Sequence, residues 1–322
     1  MINEADFKER FNSEKSFYKA WGNYVVSFIN QKLKDKGLSE KIKIKPEPRL
    51  KDIKSLVDKA FNRKKNYKNP YDDITDKVGC RYVVLTLNDF DWIESEIENA
   101  NIWEYSKDKD YKEDRTRDPE MFSYQSDHYI VKNKNEIEFE NVKIPANTPC
   151  EIQIRTLLQH AHSELTHDGV YKNVLPTEPK YRRLIATSMA LIEASDNIFS
   201  EVMETITKVE NTYNNILQPL RKMINKSYED DYDKELNFTL LHVLNGTFEF
   251  NPEDLEKFLK ENPIQSFVDK RAATNSLYKQ PIIYYLYFMA DEEQPLLEKY
   301  WPLDNKILKG IFNDLGISSD IN

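Results

Sequence analysis

The run CEIQIRTLLQHAHSELTHDGVYK, residues 150–172, constrains this chain more than any other stretch. Its first six residues alternate: Cys150, Ile152 and Ile154 are apolar, while Glu151, Gln153 and Arg155 are polar. In a strand, residues two apart share a face. One side can therefore meet a core, and the other carries a carboxylate, an amide and a guanidinium together. The second half has helical spacing and is predicted to run to about Asp168, with Gly169 as its stop. Polar groups leaving a strand end together, just ahead of a helix, are where an α/β protein often builds a site. The alternative for the same pattern is an edge strand with a solvated polar face.

Several signals upstream bear on that site. In RLKDIKSLVDKAF, 49–61, the residues Ile53, Leu56, Val57, Ala60 and Phe61 form an apolar helical face. Lys51, Ser55 and Lys59 are spaced by four and stack along another face, with Arg49 just before the helix. These groups suit phosphate oxygens, or else form an ordinary solvated basic face. The segment 70–87 reads as a turn feeding a central strand, with Asp76 and Arg81 flanking Gly79 at its entrance. A carboxylate there is a turn residue or a ligand for Mg²⁺, which takes one or two carboxylates plus substrate phosphates. In 122–133 a strand is expected around His128 and Ile130, preceded by Tyr124 and Ser126. A tyrosine on such a loop either packs on the sheet or stacks on a base, worth about 1–3 kcal/mol.

The remaining elements set the architecture. Residues 3–36 are predicted helical, ended by Gly37, and Ile42 and Ile44 mark a short strand before Pro46 and Pro48. A helix is expected over 89–100 and a strand over 101–106. A charged loop over 107–120 looks too polar to pack. A strand over 136–142 should join the 149–155 strand as a hairpin. One or two long helices follow over 178–225, then shorter amphipathic ones near 234–244, 252–261, 280–290 and 303–315. The fold class is α+β: a mixed sheet with flanking helices, followed by an all-helical region.

Charge divides the chain. Residues 229–322 carry 18 acidic and 9 basic side chains, the whole of the net −9, and the residues before them balance. The expected parts are a helical segment over 1–40, a sheet-bearing domain over 41–228 and an acidic helical region over 229–322. An acidic tail is not drawn to nucleic acid over its whole extent, though a local basic cleft in the neutral part is compatible with these numbers. No apolar run has membrane length, and no basic-then-apolar leader opens the sequence. Cys80 and Cys150 each sit in an apolar run and read as small core residues, in keeping with a reducing, cytoplasmic setting.

Together and in this order, these motifs resemble the synthetase domain of the RelA/SpoT family, whose fold is nucleotidyltransferase-like. The resemblance covers about residues 40–175. The basic helix fits RxKxxxSxxxK at Arg49, Lys51, Ser55 and Lys59; the strand entrance fits DxxGxR at Asp76, Gly79 and Arg81. SYQSDHY supplies Tyr124, Ser126, His128 and Tyr129, and the strand and helix supply Glu151, Gln153, Arg155, Thr156, His160, Glu164, His167, Tyr171 and Lys172.

The resemblance implies transfer of the β,γ-pyrophosphate of ATP to the 3′-hydroxyl of GDP or GTP. It implies that Asp76 and Glu151 hold Mg²⁺, with Glu151 also activating or orienting the acceptor. Arg49, Lys51, Lys59, Arg81 and Arg155 would take phosphates, with Ser55 as a hydroxyl partner. Tyr124 would stack on guanine and His128 would help place the acceptor near Ser126. Gln153, His167 and Lys172 would lie on the acceptor side or behind it. Only 48 residues precede the basic helix, too few for the family's hydrolase domain, so a small synthetase without that domain is expected.

The departures are Ser123 for a glycine, Asp127 for an apolar residue, His162 for a tryptophan and Thr166 for an acidic residue. They cluster on the acceptor side. Two alternatives follow. Some toxic family members modify the 3′ CCA end of tRNA, for which Lys180, Arg182, Arg183, Arg221, Lys222 and Lys226 would form the basic track. A non-catalytic nucleotide-sensing domain would keep the fold without needing both carboxylates. The dense aromatics Tyr284, Tyr285, Tyr287 and Phe288 suit a core, a homo-oligomer seam or the docking face of a neutralising protein.

Overall fold

Helix α1 (Glu4–Asp35) opens on Asn3, whose side chain accepts from the Asp6 amide at 2.9 Å, and stops before Gly37, held at φ +70°. The computed structural model describes residues 2–63, 67–122, 126–166, 178–245 and 251–318. By its contacts the chain divides into two units, Met1–Met203 and Glu204–Asn322.

In the first unit the strands β1 (Arg49–Leu50), β2 (Val78–Val84), β3 (Trp103–Lys109), β4 (Asp127–Asn133) and β7 (Pro149–Thr156) form one sheet, in the order β1-β2-β7-β4-β3. The β2–β7 pair is parallel and the other pairs are antiparallel. Strands β5 (Ile137–Phe139) and β6 (Val142–Ile144) make a separate hairpin. The expected hairpin between 136–142 and β7 is therefore replaced. The positive-φ pair Glu140 and Asn141 turns the chain straight back, and β7 pairs with β2 and β4 instead.

The helices between these strands are α2 (Ile53–Val57), α3 (Pro70–Asp73), α4 (Phe90–Glu98) and α5 (Tyr111–Arg117), and α6 (Leu157–Thr166) and α7 (Pro179–Arg221) follow β7. Two expectations fail here. Ile44 makes an isolated bridge to Val83 in place of a strand, because Pro46 and Pro48 cut the run short. The polar loop 107–120 is instead the end of β3 and the helix α5. Its Asp110 cap accepts from the Lys112 and Glu113 amides, and Tyr111 is buried.

Alternation divides the sheet's two faces. Val78, Cys80, Tyr82, Cys150, Ile152, Ile154, Tyr129 and Val131 bury in one core with Phe7, Trp21, Val25 and Ile29 of α1 and with Ile93 and Ile97 of α4. Both cysteines are buried and free. The other face, carrying Arg81, Glu151, Gln153 and His128, is left to the site. Residues 1–40 thus share the core of the sheet.

The second unit has its own core, built by α8 (Lys234–Asn245), α9 (Pro252–Glu261), α10 (Ile264–Ala272), α11 (Ile282–Glu292), α12 (Gln294–Tyr300) and α13 (Asn305–Leu315). Tyr284, Tyr285, Tyr287 and Phe288 of α11 are buried in it, so these aromatics are core rather than a docking face. Tyr213, Ile216, Leu217 and Leu220, from the last turns of α7, join the same core. The contact division therefore falls upstream of the charge change at 228/229.

One close approach holds α1 on the sheet. A Cβ on Gly22 would lie 2.7 Å from Pro48 Cβ and 2.8 Å from Val78 Cγ2. Gly22→Ala gains about 1 kcal/mol of helix propensity. It should lose more than that to overpacking, which costs about 1–3 kcal/mol. The expected outcome is a lower thermal midpoint, read by circular dichroism.

Candidate active site

The parallel pairing of β2 with β7 sets Gly79 opposite Glu151 and Arg81 opposite Gln153. The backbones meet closely here. A Cβ at Gly79 would stand 3.0 Å from the Glu151 carbonyl oxygen and 3.3 Å from its Cβ. Above this pair lies a cleft of about 420 Å³ lined by Lys45, Arg49, Lys51, Ser55, Asp76, Arg81, Glu151, Gln153 and His160, among others.

On the basic side, Asp52 caps α2 by accepting from the Lys54 and Ser55 amides. The helix then widens into a π turn over Asp58–Asn62, a distortion common at functional sites. Lys59 lies in that turn and donates to Asp76 Oδ2 at 2.7 Å, and Lys51 pairs with the same oxygen. Burial pushes the Asp76 carboxyl up, but the two ammonium groups outweigh it and hold the group below its ordinary range. Asp76 Oδ1 is buried without a hydrogen-bond partner. Arg49 comes from β1 rather than from the helix.

The carboxylate of Glu151 receives Gln153 Nε2 at 2.8 Å on Oε2 and faces His128 Nδ1 at 3.2 Å on Oε1. The far nitrogen of His128, Nε2, lies 2.7 Å from Ser126 Oγ. Burial and the nearby Asp76 charge push Glu151 up, while His128 and Gln153 pull it down and prevail. Gln153 Oε1 in turn accepts from Arg155, whose Nη1 donates to Ser163 of α6 at 2.9 Å. Arg81 reaches α6 as well, 2.9 Å from Glu164 and 3.0 Å from His160 Nδ1. Burial, and then the Arg81 charge, push the His160 imidazole down, favouring the neutral ring.

Ten of the expected site residues are therefore placed around one cleft and the hydrogen-bond chain leading from it: Arg49, Lys51, Ser55, Asp76, Arg81, Glu151, Gln153, His128, Ser126 and Arg155. Lys59 joins them through Asp76. Tyr124, His167 and Lys172 lie outside the described residues. The sequence reading assigned no role to Lys45, which lines the cleft, or to Lys109, which sits opposite His128 across β3 and β4. Lys45 was read as part of a strand, and Lys109 as loop.

Asp127 is a second buried carboxylate beside the site. It accepts from the Tyr111 amide at 2.8 Å and lies 3.1 Å from Lys107, which also holds Glu94 at 2.8 Å and Asp110 at 2.7 Å. Burial and the adjoining Glu94 carboxyl push Asp127 up to about 7.

A sequence model described as the region found in RelA/SpoT proteins matches residues 48–175. Arg49, Lys51, Ser55, Lys59, Asp76, Arg81, Ser126, His128, Glu151, Gln153 and Arg155 all fall within the matched residues. No curated protein matches the sequence.

Among solved structures, the chain is similar to a GTP pyrophosphokinase family protein from Streptococcus pneumoniae, at TM-score 0.50 and 19% identity over 65% of this chain and 97% of that one. It is also similar to small alarmone synthetase 2 from Bacillus subtilis, at TM-score 0.49 and 20% identity over 62% and 99%. Small alarmone synthetase 1 from Bacillus subtilis, bound to its product pppGpp, matches at TM-score 0.45 and 19% identity over 57% and 95%. At such identities the likeness is one of fold.

The raised Asp127 carboxyl gives a pH signature of defined sign. A group whose folded value lies above its unfolded one stabilises the protein at low pH, and that contribution is lost as pH rises from about 4 to about 7. Asp127→Asn keeps an acceptor for the Tyr111 amide and removes the ionisation. Urea midpoints measured across this window should fall with pH more steeply in the parent than in the variant.

Proposed function

We propose that this chain transfers the β,γ-pyrophosphate of ATP to the 3′-hydroxyl of GDP or GTP. The observation that carries the reading is the meeting of Asp76 and Glu151 in one cleft whose other wall is a set of cations. The bond that forms joins the acceptor 3′-oxygen to the β-phosphorus. The bond that breaks joins that phosphorus to the oxygen bridging it to the α-phosphate, which leaves on AMP. The hydroxyl proton goes to Glu151, the carboxylate coupled to His128.

Phosphoryl chemistry of this kind is mostly positioning and charge neutralisation. Lys51, Lys59, Arg49 and Lys45 suit the ATP triphosphate, and Ser55 adds a hydroxyl. Arg81 and Arg155 have the planar fork that takes phosphate oxygens two at a time. His128, Gln153 and Ser126 hold and orient Glu151, so the acceptor meets a fixed carboxylate.

The carboxylates fit Mg²⁺. Asp76 Oδ1 is buried without a donor, and the negative charge of Asp76 acts on Glu151, a cost that a divalent ion would relieve. Mg²⁺ takes one or two carboxylates together with substrate phosphates, and Asp76 and Glu151 would supply the carboxylates. Asp76 and Glu151 would hold the ion, and it would supply positive charge to offset that of the phosphates. Tyr124, His167 and Lys172 retain the guanine-stacking and acceptor-side roles that the family resemblance gives them.

Glu151→Gln and Asp76→Asn should each lower turnover by about 10²-fold or more, the scale of losing a positioned charge or base. Their circular dichroism should match the parent. The assay supplies β-labelled ATP and Mg²⁺ with GDP, GTP or deacylated tRNA and follows the label. Label on the guanine nucleotide is expected. Label on tRNA alone moves the acceptor to RNA, and no transfer to any acceptor overturns the enzymatic reading.

A further inference from the structure

Asp76 reaches the cleft against the alternation of the strand it leads into. Val78, Cys80 and Tyr82 of β2 enter the core, while Gly79 and Arg81 line the cleft. Continued back toward the N-terminus, that alternation would put residue 77 on the cleft face and residue 76 in the core. The structure has the reverse. Asp76 lines the cleft, and Lys77 is 2% exposed, with its ammonium group among core aromatic rings. The backbone therefore rotates between Asp76 and Val78, and a contact on the core side must hold that rotation.

The Lys77 ammonium is placed to do so. It donates to the Ile74 carbonyl at 2.6 Å, a buried bond that closes the turn around Thr75 and Asp76. It also lies over the rings of Tyr71 and Tyr18, 4.7 and 5.6 Å from their centroids, where a desolvated cation is attracted to the ring face. Tyr71 is itself fixed. Its hydroxyl donates to Glu14 at 2.6 Å, and Arg10, bound to Glu14 at 3.0 Å, lies over the same ring at 4.0 Å. A cation buried in this way costs desolvation that an apolar side chain of the same shape would not. What the ammonium group adds over such a side chain is the bond to Ile74.

The backbone of the same residue bears on the cleft. The Lys77 carbonyl accepts from the Lys51 amide at 2.9 Å, one rung beyond the pairs Arg49–Gly79 and Leu50–Val78 that join β1 to β2. Lys51 in turn pairs with the Asp76 carboxylate, as Lys59 does. The side chain of Lys77 thus holds the start of the turn, and its carbonyl holds one of the cations that meet Asp76.

We propose that Lys77 is a positioning residue: its caged ammonium group, by holding the Ile74 carbonyl, fixes the turn that presents Asp76 to Lys51 and Lys59. Helix α1, which supplies Arg10, Glu14 and Tyr18 to the cage, thereby takes part in building the site. The placing of Asp76 does not depend on which reaction the cleft performs; only the effect on turnover rests on the pyrophosphate-transfer reading.

The test replaces Lys77 by methionine, which keeps the length and loses the charge and the donor. In Lys77→Met the Ile74 carbonyl is left without its donor, and the turn opens to satisfy it. Release of a buried charge opposes that loss, so the thermal midpoint should stay within a few degrees of the parent. Amide hydrogen exchange reads the turn directly. The Lys51 amide should exchange several-fold faster in the variant, while amides between β2 and β7 keep their parental rates. An unchanged Lys51 rate overturns the proposal. Faster exchange spread evenly over the first unit also overturns it, because Lys77 is then ordinary core. In the transfer assay the Mg²⁺ concentration for half-maximal turnover should rise several-fold with the KM for GDP unchanged; no change in either, or an equal rise in both, removes the link to the site. A parent chain that transfers nothing overturns the catalytic reading alone, and Lys51 exchange still decides the role of Lys77. Should Lys77→Met fail to fold, Tyr71→Phe and Tyr71→Leu decide it. Phenylalanine keeps a ring beside the ammonium group and should keep the parental Lys51 rate, and leucine should raise it; equal rates in the two overturn the proposal.

Discussion

The site depends on two parallel strands lying unusually close. Gly79 of β2 and Glu151 of β7 stand opposite each other, and the space above Gly79 is nearly filled by the Glu151 backbone and Cβ. A side chain at residue 79 would separate the strands. With glycine there, the polar faces of β2 and β7 merge into one floor. Asp76, at the entrance to β2, then reaches the cleft that holds Glu151. Gly79 and Glu151, 72 positions apart in the chain, are joined by a backbone contact, and the placing of Asp76 near Glu151 follows from it.

The charges on this floor are paired within the protein. Asp76 pairs with both Lys51 and Lys59 through one oxygen, Glu164 meets Arg81, and Gln153 links Glu151 to Arg155. Each partner holds its neighbour in a defined place, so the cations of the cleft are positioned in advance. Such preorganisation is where most electrostatic stabilisation of a transition state comes from. The same pairing lowers the Asp76 and Glu151 carboxyls despite burial, which keeps both ionised at neutral pH.

Much of this was legible in the sequence, and the reasons are local. Alternation in CEIQIR gave the two faces of β7; Lys51 and Ser55 do line one cleft, but Lys51 precedes α2 and is not placed there by helical spacing. The close approach at Gly79 came only from the structure. The identity of the strand partners was not legible, because pairing is a long-range choice and apolar alternation fits several neighbours. The hairpin 137–144 shows this: its turn at Glu140 and Asn141 needs positive φ, and neither residue is glycine. The π turn at Asp58–Asn62 was equally hidden, since its residues have ordinary helical preferences. Lys59 nevertheless reaches the place its spacing suggested, by a different backbone route.

The segment 107–120 carries a more general lesson about polar sequence. It has almost no apolar content, yet β3 extends into it and α5 forms from it. What orders it is a single lysine surrounded by carboxylates. Lys107 holds Glu94 of α4, the Asp110 cap of α5 and Asp127 of β4, and Asp127 also accepts from the first amide of α5. Four elements meet at that one ammonium group. Burying such a cluster is costly in desolvation, and the raised Asp127 carboxyl is the sign of that cost. The gain is geometric, because Asp127 is the residue next to His128, and fixing its carboxylate fixes the strand end from which His128 reaches Glu151. Where the family pattern has an apolar residue, Asp127 therefore brings an ionic cluster with Lys107.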